Sequence, residues 1–292
     1  MPKTFQADRT NGSCPSPLCA IRVGRHAYRY LTAHTRTGRV VSAFRHGFNL
    51  LFDEGTDPGF AAVQTGAVPL HPWAVACATI EPLPIDTPVS VSDGQIRFGN
   101  GAYLRPAEAA IPDLSIAPYD EEAAARALAK RPLIDGILRS RPGRGADEPS
   151  QSGINAILTQ WEVSGQSDGL LDLVGLGCGS TPSGDDVLVG LLAGLTALQE
   201  ASRTSAGALR ELRRILPQLR HHTTLPSAQM IEAACEDGFP EPLQQLVTDL
   251  GGTSDDPALR TDVQAVLSLG ATSGTQMLHG LLAAAVRQRV IA

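Results

Sequence analysis

SGDDVLVGLLA (residues 183–193) returns ninety residues later as SGTQMLHGLLA (residues 273–283), identical at seven of eleven positions. Both copies open on Ser-Gly and carry an apolar run with a glycine at the same place, Gly190 and Gly280. An apolar run behind such a start predicts a helix in each case. Leu, Gly and Ala are common in this chain, so some matching is cheap. The shared start and the shared glycine still predict two equivalent helices packed closely through Gly190 and Gly280. Side by side, their N-termini face one site.

The first copy completes a longer segment, GLGCGSTPSGDD (residues 175–186). Ser183 with Asp186, and Ser273 with Gln276, fit a capping box, each cap contributing about 1 kcal/mol. Caps account for those four residues and leave Gly175, Gly177, Gly179, Thr181, Pro182 and Asp185 unexplained. Glycines ahead of a helix let backbone N–H groups approach an anion, which the helix dipole also favours. The spacing matches neither a nucleotide P-loop nor a dinucleotide fingerprint, and no lysine sits in the loop. Two carboxylates beside an anion repel it. Either Asp185 helps hold a divalent metal such as Mg²⁺ that bridges to the anion, or it accepts hydrogen bonds from a substrate N–H group.

The 292 residues suffice for two domains. A net charge of -6 gives no footprint for nucleic acid or an anionic membrane surface. Five scattered cysteines without CxxC or zinc spacing read as reduced thiols, and no secretory signal is visible, which predicts a cytoplasmic protein. The longest apolar run, residues 187–198, is too short to span a membrane.

The pattern predicts an α+β chain: a flexible N-terminus over 1–19, a β-rich domain over 20–117, and a mainly helical domain over 118–292 carrying the glycine-rich loop at a helix N-terminus. In the first part YRYLTAHT (28–35), RVVSAF (39–44), GAVPL (66–70), AVACATI (74–80) and residues 88–104 read as β-rich runs. Asp93-Gly94 marks a hairpin. One short helix is expected, and HGFNLLF (46–52) reads equally as that helix or as a buried strand. Helices are expected over 120–131, 154–163, 187–200, 206–219, 227–236, 241–250, 257–267 and 275–289, with a mobile loop over 139–153.

Other candidates have plainer readings. His221 and His222 are adjacent, so their side chains diverge, and they read as solvent-facing. Ser227 after Pro226 reads as a helix N-cap; Thr224 and Ser227 supply hydroxyls if this loop meets the other two. His46 and Asn49 read as satisfied polar groups on an apolar segment. Cys178 is a minority candidate nucleophile, with no histidine beside it in sequence.

GLGCGSTPSGDDVLVGLLAGL (175–195) resembles the signature of the oxamate carbamoyltransferase AllH-type subunit family. The resemblance extends to FRHGFNLLF (44–52) with Asn49, to Thr224, Ser227, Ala233 and Gly238 in 223–238, and to Thr272, Ser273, Gly274, Leu278 and Gly280 in 270–280. It covers about residues 40 to 285, and Ser180 departs from it by standing where the family usually has an apolar residue. It implies a subunit of an allantoin-catabolism enzyme that transfers a carbamoyl group between oxalurate and phosphate, giving oxamate and carbamoyl phosphate. Partner subunits, including an acyl-CoA synthetase-like protein, are implied with it.

Residues and resemblance together predict that the 177–186 loop binds a small anion opposite Thr272, Ser273 and Gly274. Thr181, Asp185 and Asp186 are the candidate catalytic residues, Asp185 also the candidate metal ligand. Gly177, Gly179, Ser183, Gly184, Asn49, Thr224, Ser227, Thr272, Ser273 and Gly274 are candidate substrate-binding residues. The contrasting expectation is a non-catalytic scaffold or regulatory subunit whose glycine loop is purely structural.

Overall fold

The computed structural model describes residues 17–53, 58–140, 149–164 and 167–286. Residues 1–16, most of the loop expected over 139–153, and the last residues of the final expected helix lie outside them. The first part is a nine-stranded sheet: β1 (Pro17–Leu18), β2 (Ala20–Val23), β3 (Arg36–Phe44), β4 (Gly47–Phe52), β5 (Gly59–Thr65), β6 (Ala74–Cys77), β7 (Pro88–Ser92), β8 (Gln95–Phe98) and β9 (Tyr103–Leu104). Their spatial order is β1-β9-β8-β7-β3-β4-β5-β6-β2. The two edge strands, β1 and β2, are separated in sequence only by Cys19, so the sheet curls until its edges meet and becomes barrel-like.

HGFNLLF resolves as strand. Phe48, Leu50 and Phe52 on β4 point into the sheet's core, and Asn49 and Leu51 point the other way. The expected short helix is instead α1 (Arg25–Ala33), where YRYLTAHT was expected to be strand. Its β-favouring residues yield to burial of His26, Ala27, Tyr30 and Leu31 along one helical face. GAVPL is a loop. Asp93 and Gly94 both have positive φ, 52° and 68°, and join β7 to β8 with Ser92 opposite Gln95, as a two-residue hairpin requires.

The second part holds α2 (Glu121–Ser140), α3 (Pro149–Ser164), α4 (Ser183–Leu198), α5 (Arg203–Ile215), α6 (Leu225–Cys235), α7 (Glu241–Gly251), α8 (Asp256–Leu267) and α9 (Ser273–Val286), an α+β arrangement overall. All sixteen residues of α4 are buried, and α3, α5, α6, α7 and α9 pack around it. The helical core and the barrel core are distinct clusters. Between them, Phe60 N–H donates to Gln229 Oε1 at 2.8 Å, Trp73 Nε1–H donates to the Gln229 carbonyl at 2.9 Å, and Glu241 pairs with Arg22 while accepting from Leu70 N–H.

The repeat in the sequence is a pair of helices in intimate contact. A Cβ on Gly190 would lie 1.8 Å from the Met277 carbonyl oxygen, and one on Gly280 would lie 2.0 Å from that of Val187. Gly194 meets Leu281 and Ala284 further along, and Thr181 meets Ser273 at the start, so α4 and α9 run parallel and both N-termini lie at one end. Gly184 and Gly274 are equivalent in the same way, closed against the carbonyls of Leu173 and Val266. Gly190→Ala or Gly280→Ala should therefore cost about 3 kcal/mol or more, outweighing a gain in helix propensity of about 1 kcal/mol. Gly136→Ala in α2, where an added Cβ meets nothing within 4 Å, should stabilise the protein. Urea unfolding of the three variants gives the comparison, and equal effects would refute the close contact.

Candidate functional site

The loop ahead of α4 is held by its glycines. Gly175 has φ 73° and an added Cβ would sit 2.2 Å from the His222 carbonyl oxygen; Gly177, at φ 120°, faces Ser183 N at 2.7 Å in the same sense. Side chains at either position would be both strained and blocked. Residues 177–180 are exposed, forming the apex of the loop. Its base is committed to the protein: Gly184 N–H donates to Leu176 O, and Gly175 N–H donates to Asp185 Oδ1 at 2.8 Å.

The capping-box expectation fails. Pro182 occupies the N-cap of α4 with no side-chain cap, and Ser183 is the first helical residue. At α9, Gln276 reaches to Gln151 Oε1 at 2.7 Å instead of back to the helix start. Thr224, not Ser227, caps α6: its hydroxyl accepts from Ser227 N–H and donates to Ser180 O at 2.6 Å, tying the apex of the glycine loop to α6.

The two adjacent carboxylates diverge, because neighbouring helical residues face about 100° apart. Asp185 turns inward. Its Oδ1 accepts from Gly175 and its Oδ2 from the Thr223 hydroxyl. Burial raises this carboxyl, opposed by the hydrogen bonds of Thr223, Gly175 and Ser227. Both oxygens accept hydrogen bonds from the protein, and Asp185 does not line the cavity described next. Among the described residues no group of three or more His, Cys, Asp or Glu could hold a metal ion.

Asp186 turns the other way, into a cavity of about 590 Å³ between the sheet and the helices. Its Oδ2 is buried and has no hydrogen-bond partner. Burial pushes the Asp186 carboxyl up to about 7; a hydrogen bond from Ser273 opposes this, and the Asp185 charge adds to it. Thr181 and Ser273 stand beside it with their hydroxyl oxygens 3.2 Å apart, one from each helix start. Across the cavity, β3–β5 contribute Ser42, Asn49 and Gln64, with Asn49 Nδ2–H donating to Ser42 Oγ at 2.9 Å.

The cavity thus gathers Asn49, Thr181, Asp186 and Ser273 from the expected residues. Gly177, Gly179, Ser183, Gly184, Thr224, Ser227, Thr272 and Gly274 do not line it; Gly184, Thr224 and Gly274 shape the loops that do. Cys178 is exposed at the loop apex, also outside the lining. Sequence reasoning missed Gln64, His71, Trp73 and Gln229. The one available signal was Gln64, a polar residue that closes the apolar run Phe60–Val63 of β5. Among the described residues, the lining has neither Lys nor Arg.

Adjacent carboxylates in such different settings should respond oppositely to substitution. Asp185→Ala leaves two partly buried donors without their acceptor and should cost about 1 to 2 kcal/mol. Asp186→Asn should not destabilise the protein at neutral pH. Because the folded state holds the Asp186 proton to about pH 7 and the unfolded chain to about pH 4, this group's contribution to stability falls between those values and then levels. The stability gap between Asp186→Asn and wild type should widen over that window in denaturant titrations; a pH-independent gap would contradict the burial of an unpaired carboxyl.

Among the described residues, no helix is long and apolar enough to cross a membrane. Comparisons with curated proteins and with solved structures give no match. Residues 173–285, which hold α4, α9 and both helix starts, match the family model of the oxamate carbamoyltransferase subunit AllH, supporting the family that the sequence motifs resemble.

Proposed function

We propose that this chain is a carbamoyltransferase subunit that converts oxalurate and phosphate to oxamate and carbamoyl phosphate, with the reacting amide held beside Asp186. The observation that carries the reading is the unpartnered, buried Asp186 oxygen where the two helix starts converge. In the transfer, a phosphate oxygen bonds to the carbamoyl carbon and the C–N bond breaks, its electron pair leaving with nitrogen. An amide nitrogen is a poor leaving group unless it receives a proton. Asp186, with its carboxyl raised to about 7, is suited to give that proton and to recover the one carried by phosphate.

Thr181 is placed to donate a hydrogen bond to the carbonyl oxygen as charge develops on it, while the single O–H of Ser273 faces Asp186. Phosphate, or the substrate carboxylate, is assigned to the exposed loop apex at residues 177–180, where Ser180 reaches the rim of the cavity. The remaining charge on phosphate is a task for the partner subunits, an acyl-CoA synthetase-like protein among them. Asp185 is here a positioning residue: it fixes the loop and leaves the proton transfer to its neighbour.

The test is carbamoyl phosphate formation from oxalurate and phosphate by the chain assembled with its partner subunits. Asp186→Asn should lower kcat by about 100- to 10,000-fold with little change in KM. The wild-type rate in this direction should fall as pH rises past about 7, because the protonated carboxyl is the active form. Undiminished turnover in Asp186→Asn would overturn the assignment.

A further inference from the structure

A second chamber of about 260 Å³ adjoins the cavity, and His71, Gln64 and Asn49 line both. His71 lies in the loop between β5 and β6. Trp73 N–H donates to His71 Nδ1 at 3.3 Å, so the ring proton of the neutral imidazole sits on Nε2. Burial pushes His71 down to about 4, keeping the ring uncharged in the physiological range. Gln64 is fixed with equal firmness. Its Nε2 donates to the carbonyls of Val68 at 3.2 Å and Pro69 at 2.9 Å, which uses both amide hydrogens and leaves Oε1 as the acceptor. The two backbone acceptors also fix the orientation of the amide, since a flipped Gln64 would set oxygen against oxygen.

We propose that His71 Nε2–H and Gln64 Oε1 form a donor and acceptor pair that reads a carboxamide and rejects a carboxylate. A carboxamide offers the complement, a carbonyl oxygen beside an N–H. A carboxylate offers two acceptors, which sets one of them against Gln64 Oε1 with no described Lys or Arg in the lining to compensate. Sites built around a hydrogen-bonding pattern discriminate strongly against analogues that leave a buried group mismatched. The sheet wall would then hold the amide of the ligand while Asp186 approaches its nitrogen from the helical side. The inference rests on the cavity being the ligand site of the proposed transferase, but the pair reads the amide whether or not a carbamoyl group moves.

The experiment is calorimetric titration of the full chain with oxamate, oxamide and oxalate, molecules of nearly the same shape. Oxamate and oxamide should bind at least tenfold more tightly than oxalate. His71→Ala should weaken oxamate at least tenfold and shrink the preference. His71→Gln, whose Nε2–H replaces the lost donor, should recover part of both, and thermal melts identify the variants that are folded. Equal affinity for oxamate and oxalate, an unchanged preference in folded His71→Ala, or no binding of any of the three would overturn the pair. A preserved preference without carbamoyl phosphate formation by the assembled subunits would overturn the transferase reading alone; turnover without the preference would overturn only the pair.

Discussion

The backbone contact between α4 and α9 is the constraint on which the site depends. Two helices that touch through Gly190 and Gly280 bring their axes closer than any pair with side chains at the crossing. Because the contact is reciprocal and the helices are parallel, their first turns converge. Thr181 and Ser273, ninety-two residues apart in sequence, come within hydrogen-bond distance as a result. Larger residues at the two glycines would separate the helix starts and dissolve the junction that holds Asp186 in place.

That convergence creates an electrostatic problem at the same point. Two adjacent carboxylates are placed at the start of a fully buried helix, where the helix dipole favours negative charge but low dielectric opposes it. The fold answers differently for each. Asp185 receives hydrogen bonds from a backbone N–H and a hydroxyl and ties the glycine loop to the segment before α6. Asp186 is left with one bare oxygen on a cavity. A pair of like groups pushed into unlike environments is how one carboxyl becomes structural and its neighbour becomes able to exchange a proton near neutrality.

The helical half was legible because its signals are local and repeated. The echo of 183–193 at 273–283 gave the helix pair and the glycines at its contact, and Asp93-Gly94 gave its hairpin. Strand β4 was ambiguous because its outer face offers only Asn49 and the apolar Leu51, so a single polar residue was too little to mark its period. α1 went unread because tertiary burial of Tyr30 and Leu31 outweighs local β preference. The capping box matched in sequence and failed in space, since Pro182 takes the cap position and Asp186 has a different partner. Gln229 left little local trace because it acts through Phe60, 169 residues away; His71 and Gln64 are held by near neighbours, and what the sequence hides is that they line one cavity with Asp186.

The location of the cavity follows from how the two halves are built. The inner face of β4 serves the barrel core, which leaves Asn49 on the outer face to meet the helices together with Gln64 of β5. A helical bundle alone would have filled this space with apolar side chains, and a barrel alone would have exposed it to water. Where they join, one wall is a set of uncharged donors and acceptors fixed by backbone contacts, and the other is a single carboxyl that can gain or lose a proton. A buried carboxyl without a full set of partners lowers stability. Its presence where two helix starts, a strand face and a fixed imidazole meet is what the proposed proton transfer rests on, because packing alone would have been better served by a leucine or an asparagine.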